Sequence, residues 1–310
     1  MTLRSIVIFA KINSQKKIDF TIKLNIIIIL MQFFSIIIIL SIMSQSLAFS
    51  HPISTNQRKL SLKPLRFSTS DLATSLAVNT AIATTAHIKG QQSLTKSGLV
   101  NAWLLGNVLL TCGGFQAWST CALYFLIGTF VTKLKMSEKE NAGIAEKRNG
   151  MRGPENVWGS AATAAIFCSM LGHGGNDNLL KLAFMSSLAT KASDTSASEI
   201  GKAFGKNTFL ITSLKRVPAG TEGAVSLEGT IAGIVGSILI AVYGIEIGWV
   251  QDWNQLGVVV ISSFVATTIE SFLGATIQND KIFTNEFINF INTMVGSLVT
   301  ILLEKLKESF

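Results

Sequence analysis

Residues 225–243 read VSLEGTIAGIVGSILIAVY. A helix over this stretch rises about 1.5 Å per residue and spans ~28 Å, close to the hydrocarbon thickness of a bilayer. Its one charge, Glu228, stands near the start. Gly229 and Gly233 are spaced by four, so they share a helix face that lets a neighbouring backbone approach closely in lipid. Working outward, comparable apolar segments fall at approximately 71–87, 99–112, 115–132, 157–171, 179–191, 256–277 and 286–303. The expected fold is therefore all-α, a polytopic integral membrane helix bundle of about 7–8 transmembrane helices. Composition agrees: 48% of the chain is hydrophobic, 14% is charged and the mean hydropathy is +0.46. A soluble chain carries roughly 25% charged residues. Short core helices of a soluble protein do not recur as so many blocks of this length.

The charges test the topology. If every segment crosses, one face receives the loops at 88–98, 133–156, 192–224 and 278–285. Counting Lys191 at the membrane edge, these hold 14 Lys and Arg, whereas the opposite face holds only Lys181, Lys305 and Lys307. This asymmetry is the one the positive-inside rule requires. It also accounts for the net charge of +8 without a nucleic-acid partner. Cys112, Cys121 and Cys168 lie in apolar stretches with no CxxC spacing, and His51, His87 and His173 are scattered. That pattern argues against disulfides and zinc.

The first residues read as an address. Residues 1 to about 25 carry Arg4, Lys11, Lys16, Lys17 and Lys23 against Asp19 alone, and an extreme apolar run extends from Ile26 to Met43. It ends at Ser46-Leu47-Ala48, small residues suited to a signal-cleavage site. From Phe49 to Ser70 the chain is rich in Ser, Thr and basic residues and has no acidic residue, a transit-peptide composition. The expected organisation is a signal-peptide-like segment at 1–48, a transit-peptide-like segment at 49–70 and a transmembrane domain at 71–310. The junction Leu47-Ala48-Phe49-Ser50 resembles the bipartite presequences of algae with complex plastids, which implies a multi-pass protein of a plastid membrane.

Two polar stretches on the basic face carry the candidate chemistry. The first includes Lys147, Arg148, Gly150, Arg152 and Gly153, followed by Glu155 and Asn156 at the point of membrane entry. Cations and glycines beside a helix start can cradle phosphates. The second runs from Lys191 through Asp194, Glu199, Lys202 and Lys206 to Lys215-Arg216, then Glu222 and Glu228. Asp194 and Glu199 near the membrane edge, with Glu228 and Glu270 inside apolar segments, are costly placements that ordinarily mark function. Magnesium suits such a set, being held by one or two carboxylates together with phosphate oxygens. Two soluble-enzyme readings fail. Gly201-Lys202-Ala203-Phe204-Gly205-Lys206-Asn207 is one residue short of a Walker A loop and ends in Asn, and the histidines support no catalytic triad.

Asp194-x-x-Ala-x-x-x-Gly-Lys-x-Phe-Gly-Lys206, Ser213-Leu-Lys-Arg216 and Glu228-Gly-Thr-x-x-Gly233 resemble the polyprenol kinase and phosphatidate cytidylyltransferase superfamily, whose members bring CTP to a lipid alcohol or lipid phosphate. Glu270-Ser271 is similar to a late motif of the cytidylyltransferases, but Thr267 stands where those enzymes have an aspartate, which argues against cytidylyl transfer with two tightly held metals. Across residues 98–303 the chain more closely resembles the plastid phytyl-phosphate kinases of the vitamin E pathway. The resemblance rests on residues 145–160, Lys191-x-Ser-Asp-Thr195 and Gly220–Thr230.

That resemblance implies conversion of phytyl phosphate to phytyl diphosphate by CTP or another nucleoside triphosphate, feeding tocopherol and phylloquinone synthesis. It implies a prenyl-phosphate lipid as substrate, membrane lipid as surroundings and magnesium as cofactor. The expected catalytic residues are Asp194, Glu228 and Lys215. The expected magnesium ligands are Asp194, Glu199, Glu228 and Glu270. Lys202, Lys206, Lys215 and Arg216 are assigned to the nucleotide phosphates and Lys147, Arg148 and Arg152 to the lipid phosphate, with Glu155 and Asn156 counted among the nucleotide- or phosphate-binding residues. Alternatives sharing these residues are a CTP-dependent prenyl-alcohol kinase and a lipid cytidylyltransferase. A transporter would place its charges near the midplane of inverted repeats, and the chain shows neither feature.

Overall fold

The computed structural model describes residues 69–88, 93–171, 176–277 and 284–309. The targeting segments read at 1–48 and 49–70 lie outside these residues, apart from Thr69 and Ser70. Within them every predicted apolar segment is helical apart from residues 170–171 and 225–226. The elements are α1 (Thr69–Ile88), α2 (Lys96–Lys133), α3 (Met136–Asn141), a 3-10 turn (Lys147–Gly150), α4 (Pro154–Ser169), α5 (Asp177–Phe204), β1 (Thr208–Leu210), β2 (Ala224–Ser226), α6 (Leu227–Glu246), α7 (Trp253–Ile277) and α8 (Asn285–Glu308). Four of them, α2, α6, α7 and α8, are long and apolar enough to cross a bilayer.

Two predicted segments, 99–112 and 115–132, fall on the single element α2, which is broken at Gly114. Gly114 has φ 68° and ψ −165°, a conformation that a Cβ would strain. The two arms, 96–113 and 115–133, fold back on each other there. Trp118 donates to Asn79 Oδ1 at 3.0 Å, and that same oxygen lies against Gly106. Further along, the Arg152 carbonyl abuts Gly98 while its guanidinium sits beside Gly128. In a straight helix, residues 98 and 128 would be ~45 Å apart, so only a hairpin lets one arginine touch both.

α5 is the axis of the bundle. Leu182, Ala183, Phe184, Met185, Leu188 and Ala189 are fully buried, with α2, α4, α6, α7 and α8 packed around them. Its closest neighbour is α6, and small residues explain why. A Cβ added at Gly229 would meet the Ala197 carbonyl, one at Gly233 would meet Ser193 and Ala197, and one at Gly236 would meet Ala192 and Ser196. The contact with α8 is held by hydroxyls. Ser186 donates to the Gly296 carbonyl at 3.0 Å, Ser297 to the Ala183 carbonyl at 2.8 Å, and Thr300 bonds Ser186 at 2.7 Å. Such polar and small-residue seams replace the hydrophobic drive that lipid cannot supply. Gly233→Leu is expected to force α6 off α5 and cost about 1–3 kcal/mol, read as a lower apparent Tm of the purified protein in detergent.

The all-α expectation needs one amendment. β1 and β2 form a two-stranded antiparallel sheet with Thr208 opposite Ser226, Phe209 opposite Val225 and Leu210 opposite Ala224. This sheet brings the chain back from the end of α5 to the start of α6. Ser226 caps α6 by accepting from the Gly229 N–H at 3.1 Å.

Candidate functional site

α5 does not end at the membrane edge, as the loop expected at 192–224 requires. It continues helically to Phe204. The continuation changes the geometry of the acidic and basic residues, because three- and four-residue spacings now place partners on one face. Lys191 Nζ donates to Asp194 Oδ2 at 2.5 Å and to Asn289 Oδ1 of α8 at 2.7 Å, all three groups being buried. Two turns on, Glu199 is held on both oxygens. Lys139 Nζ of α3 reaches Oε2 at 2.5 Å, and Lys202 Nζ reaches Oε1 at 3.0 Å. Lys139 also donates to the Thr132 carbonyl at 2.6 Å.

All of these residues except Lys139 line a cavity of about 1100 Å³ at the basic end of the bundle. Small-molecule sites run to roughly 1,000 Å³, so this one has room for a nucleotide beside a lipid headgroup. Its inner wall is α5 from Lys191 to Lys202, and its roof is the segment from Gly143 to Asn156. The start of α6 with the segment 220–226 before it, the second half of α7 and the start of α8 form the other walls. Glu270 of α7 enters from the membrane side, within hydrogen-bonding reach of Asp194 and close to Lys191.

The first basic stretch forms a rim. Arg148 is ion-paired with Glu155 and donates to Asn156 Oδ1 at 2.9 Å. Asn156 in turn accepts from the Gly153 N–H at 3.0 Å, which fixes the start of α4 behind Pro154. Arg152 lies over the rings of Tyr124 and Phe125, 5.4 and 5.2 Å from their centroids, and Lys147 is exposed at the mouth. Acids nevertheless outnumber bases. Beyond the pairs Lys191–Asp194, Lys202–Glu199 and Arg148–Glu155, the lining holds Glu146, Glu222, Glu270 and Glu286 against Lys147 and Arg152. The Glu222 carboxyl is pushed up from its ordinary value by desolvation and by the nearby charges of Glu146 and Asp194, with Lys202 and Lys147 opposing.

Of the residues singled out in the sequence, Asp194, Glu199, Lys202, Lys147, Arg148, Arg152, Glu155, Asn156 and Glu270 line this cavity. Lys206, Lys215, Arg216 and Glu228 do not. Lys215 and Arg216 sit on a tight hairpin beyond β1, where Leu210 N–H bonds the Lys215 carbonyl at 2.9 Å and Val217 N–H the Thr208 carbonyl at 3.0 Å. Both side chains are exposed, and Arg216 is engaged by Asn207. Glu228 stands in the first turn of α6 and accepts from the Lys206 N–H at 3.4 Å, bracing the chain between α5 and α6.

The four acids expected to share a metal therefore do not converge. Among the described residues no group of three or more His, Cys, Asp or Glu side chains forms a metal site. A magnesium ion that takes most of its ligands from phosphate and water needs only one or two carboxylates. Asp194 and Glu270 fit that smaller demand: they face each other inside the cavity, and Lys191 occupies only one oxygen of Asp194.

Sequence reasoning missed Lys139 and Asn289. Lys139 sits in Ser-Glu-Lys-Glu-Asn, which reads as a solvated charge run. Asn289 had a usable signal: Asn285, Asn289, Asn292, Thr293 and Gly296 form a polar stripe at helical spacing along α8.

Known proteins place the chain. It is 45% identical over 230 residues to the uncharacterized membrane protein sll0875 of Synechocystis sp. (strain ATCC 27184 / PCC 6803 / Kazusa), covering 73% of this chain and 89% of that protein. It is 44% identical over 219 residues to protein VTE6, chloroplastic, of Arabidopsis thaliana, covering 68% of this chain and 66% of that one. An uncharacterized membrane protein of Methanocaldococcus jannaschii, MJ0933, is 27% identical over 70% of this chain and 88% of its own length. No solved structure matches. The profile described as integral membrane protein DUF92 matches residues 79–297, which takes in nearly the whole helical bundle and every residue of the cavity; the chain belongs to this family of membrane proteins.

Proposed function

We propose that this protein is a prenyl-phosphate kinase of a plastid membrane, transferring the γ-phosphoryl group of CTP, or another nucleoside triphosphate, to phytyl phosphate. The observation that carries the reading is the cavity itself: an acid pair, Asp194 and Glu270, lies beneath a rim of Lys147, Arg148 and Arg152 at the basic face of a membrane bundle. Its resemblance to the plastid phytyl-phosphate kinases and its 44% identity to a chloroplast protein support the same reading.

The chemistry asks little covalent help from the protein. An oxygen of the lipid phosphate, already ionised at neutral pH, attacks the γ-phosphorus in line. The bond from that phosphorus to the β-bridging oxygen breaks, and the nucleoside diphosphate leaves with the bonding electrons. Catalysis is then positioning and charge neutralisation. Lys147 and Arg152, the cavity cations outside its ion pairs, hold the lipid phosphate at the rim, and Arg148 joins them when it exchanges Glu155 for phosphate. Lys202 lies on α5 where the nucleotide phosphates would reach. The surplus of carboxyl groups would repel two polyanions, so divalent charge is required. Asp194 and Glu270 are the residues that would hold magnesium, which would supply the divalent charge that neutralises the nucleotide phosphates.

The direct test supplies membranes containing the full-length protein with phytyl phosphate, magnesium and CTP or ATP, and assays phytyl diphosphate by mass spectrometry. Formation of the diphosphate supports the reading. A product formed from free phytol instead would assign a prenyl-alcohol kinase, and no product with any nucleotide would remove the kinase reading.

A further inference from the structure

The cavity is not closed on its membrane side. Phe264 and Thr268, one turn apart on α7, both line it, yet both also belong to the exposed stripe Ile261, Phe264, Thr268 and Phe272, which shares one helix face and whose first and last members lie outside the cavity lining. A side chain can do both only where the wall between cavity and surroundings is open. Opposite them on α6, Thr230 and Gly233 line the same cavity, and the adjacent Ile231 and Val235 are exposed apolar residues. α6 and α7 each pack on α5 and also touch each other, so the opening is confined to the stretch where Thr230, Gly233, Phe264 and Thr268 line the cavity, with α5 as its floor.

Its depth fits a lipid. α7 ends at Ile277 on the basic face, and Phe264 lies 13 residues earlier, ~20 Å down the helix. Glu270 lies about half that far down, ~10 Å. The cavity thus runs from the charged rim, past the acid pair, to an apolar exit near the bilayer middle. The two threonine hydroxyls at that exit are already satisfied, because Thr268 Oγ1 donates to the Phe264 carbonyl at 2.8 Å and Thr230 Oγ1 to the Ser226 carbonyl at 2.9 Å.

We infer that the gap between α6 and α7, walled by Thr230, Gly233, Phe264 and Thr268, is the portal through which the apolar tail of the phosphorylated lipid lies, its phosphate inside the cavity and its chain in the bilayer. This rests on the prenyl-phosphate reading above and names how that substrate is seated. The portal makes the tail a binding element that never enters water. A bulky side chain at the exit then discriminates against long acceptors without touching the phosphate chemistry.

The test is photo-crosslinking of the full-length protein in membranes by a phytyl phosphate analogue with a diazirine midway along its chain. It is paired with Thr268→Trp, assayed on phytyl phosphate and on dimethylallyl phosphate. Adducts mapping to residues 230–239 and 264–272, suppressed by unlabelled phytyl phosphate, are expected. Thr268→Trp is expected to raise KM for phytyl phosphate about tenfold and leave KM for the short acceptor and for the nucleotide unchanged. Suppressible adducts confined to another helix seam would overturn the portal and leave the kinase reading standing. Absence of any adduct suppressed by phytyl phosphate, in protein that still binds nucleotide, would remove the prenyl-phosphate acceptor and the portal with it.

Discussion

Asp194→Asn is expected to lower the rate of diphosphate formation about 10³-fold and to leave the protein folded. Asn has the shape of Asp and keeps an oxygen for Lys191, so the buried contact survives as a hydrogen bond from the ammonium to a neutral acceptor, with Glu270 left as the nearby counter-charge. What disappears is the negative charge facing Glu270 in a cavity that must receive two polyanions. Raising the magnesium concentration should recover part of the lost rate, since the weakened element is cation binding. Glu228→Gln and Lys215→Ala, chosen from residues the sequence singled out equally strongly, are expected to retain near wild-type turnover because neither lines the cavity. The measurement is product formed per unit of folded protein, folding being checked by size exclusion. Full turnover by the Asp194 variant at limiting magnesium would sink the assignment of that carboxylate.

That contrast shows where linear reading succeeds and where it stops. The bundle was legible because lipid imposes a strong rule: a stretch either covers the hydrocarbon or it does not. Even the Gly114 hairpin was visible as two segments, 99–112 and 115–132, with no polar loop between them. The continuation of α5 from Ala192 to Phe204 was hidden, since its Ser, Asp, Glu and Gly residues look like a loop to any measure that takes lipid as the only surroundings. These side chains face other helices and the cavity instead. Charge clusters misled for the opposite reason. Lys206, Lys215 and Arg216 are close in sequence to Asp194, but Lys206 lies at the turn braced by Glu228 and a short hairpin carries Lys215 and Arg216 off the cavity. Proximity along the chain identified the end of the bundle that holds the cavity and could not sort which residues there turn inward.

Lys139→Met is expected to cause the largest loss of stability of any single substitution on the basic face, about 3 kcal/mol or somewhat more. Lys139 is only 1% exposed, and its ammonium spans the Thr132 carbonyl of α2 and Glu199 Oε2 of α5. Methionine fills similar volume but donates nothing. The Thr132 carbonyl is then left short of a donor, and Glu199 keeps Lys202 alone at 3.0 Å. That surviving partner holds the cost near the lower end of the range for breaking a buried pair. Glu199→Gln should cost less, because an amide oxygen still accepts from Lys139. The double variant should be less damaging than the two single effects added together, since residues in one network couple. Read as apparent Tm in detergent, Lys139→Met should fall by roughly 6–12 °C. Proteolysis should then cut within residues 142–153 before the rest of the chain, because Lys139 ties α3, and with it the cavity roof, to α5. An unchanged Tm would mean that Lys139 reaches water rather than Glu199, and the roof would then have to be held by Arg148 and Asn156 alone.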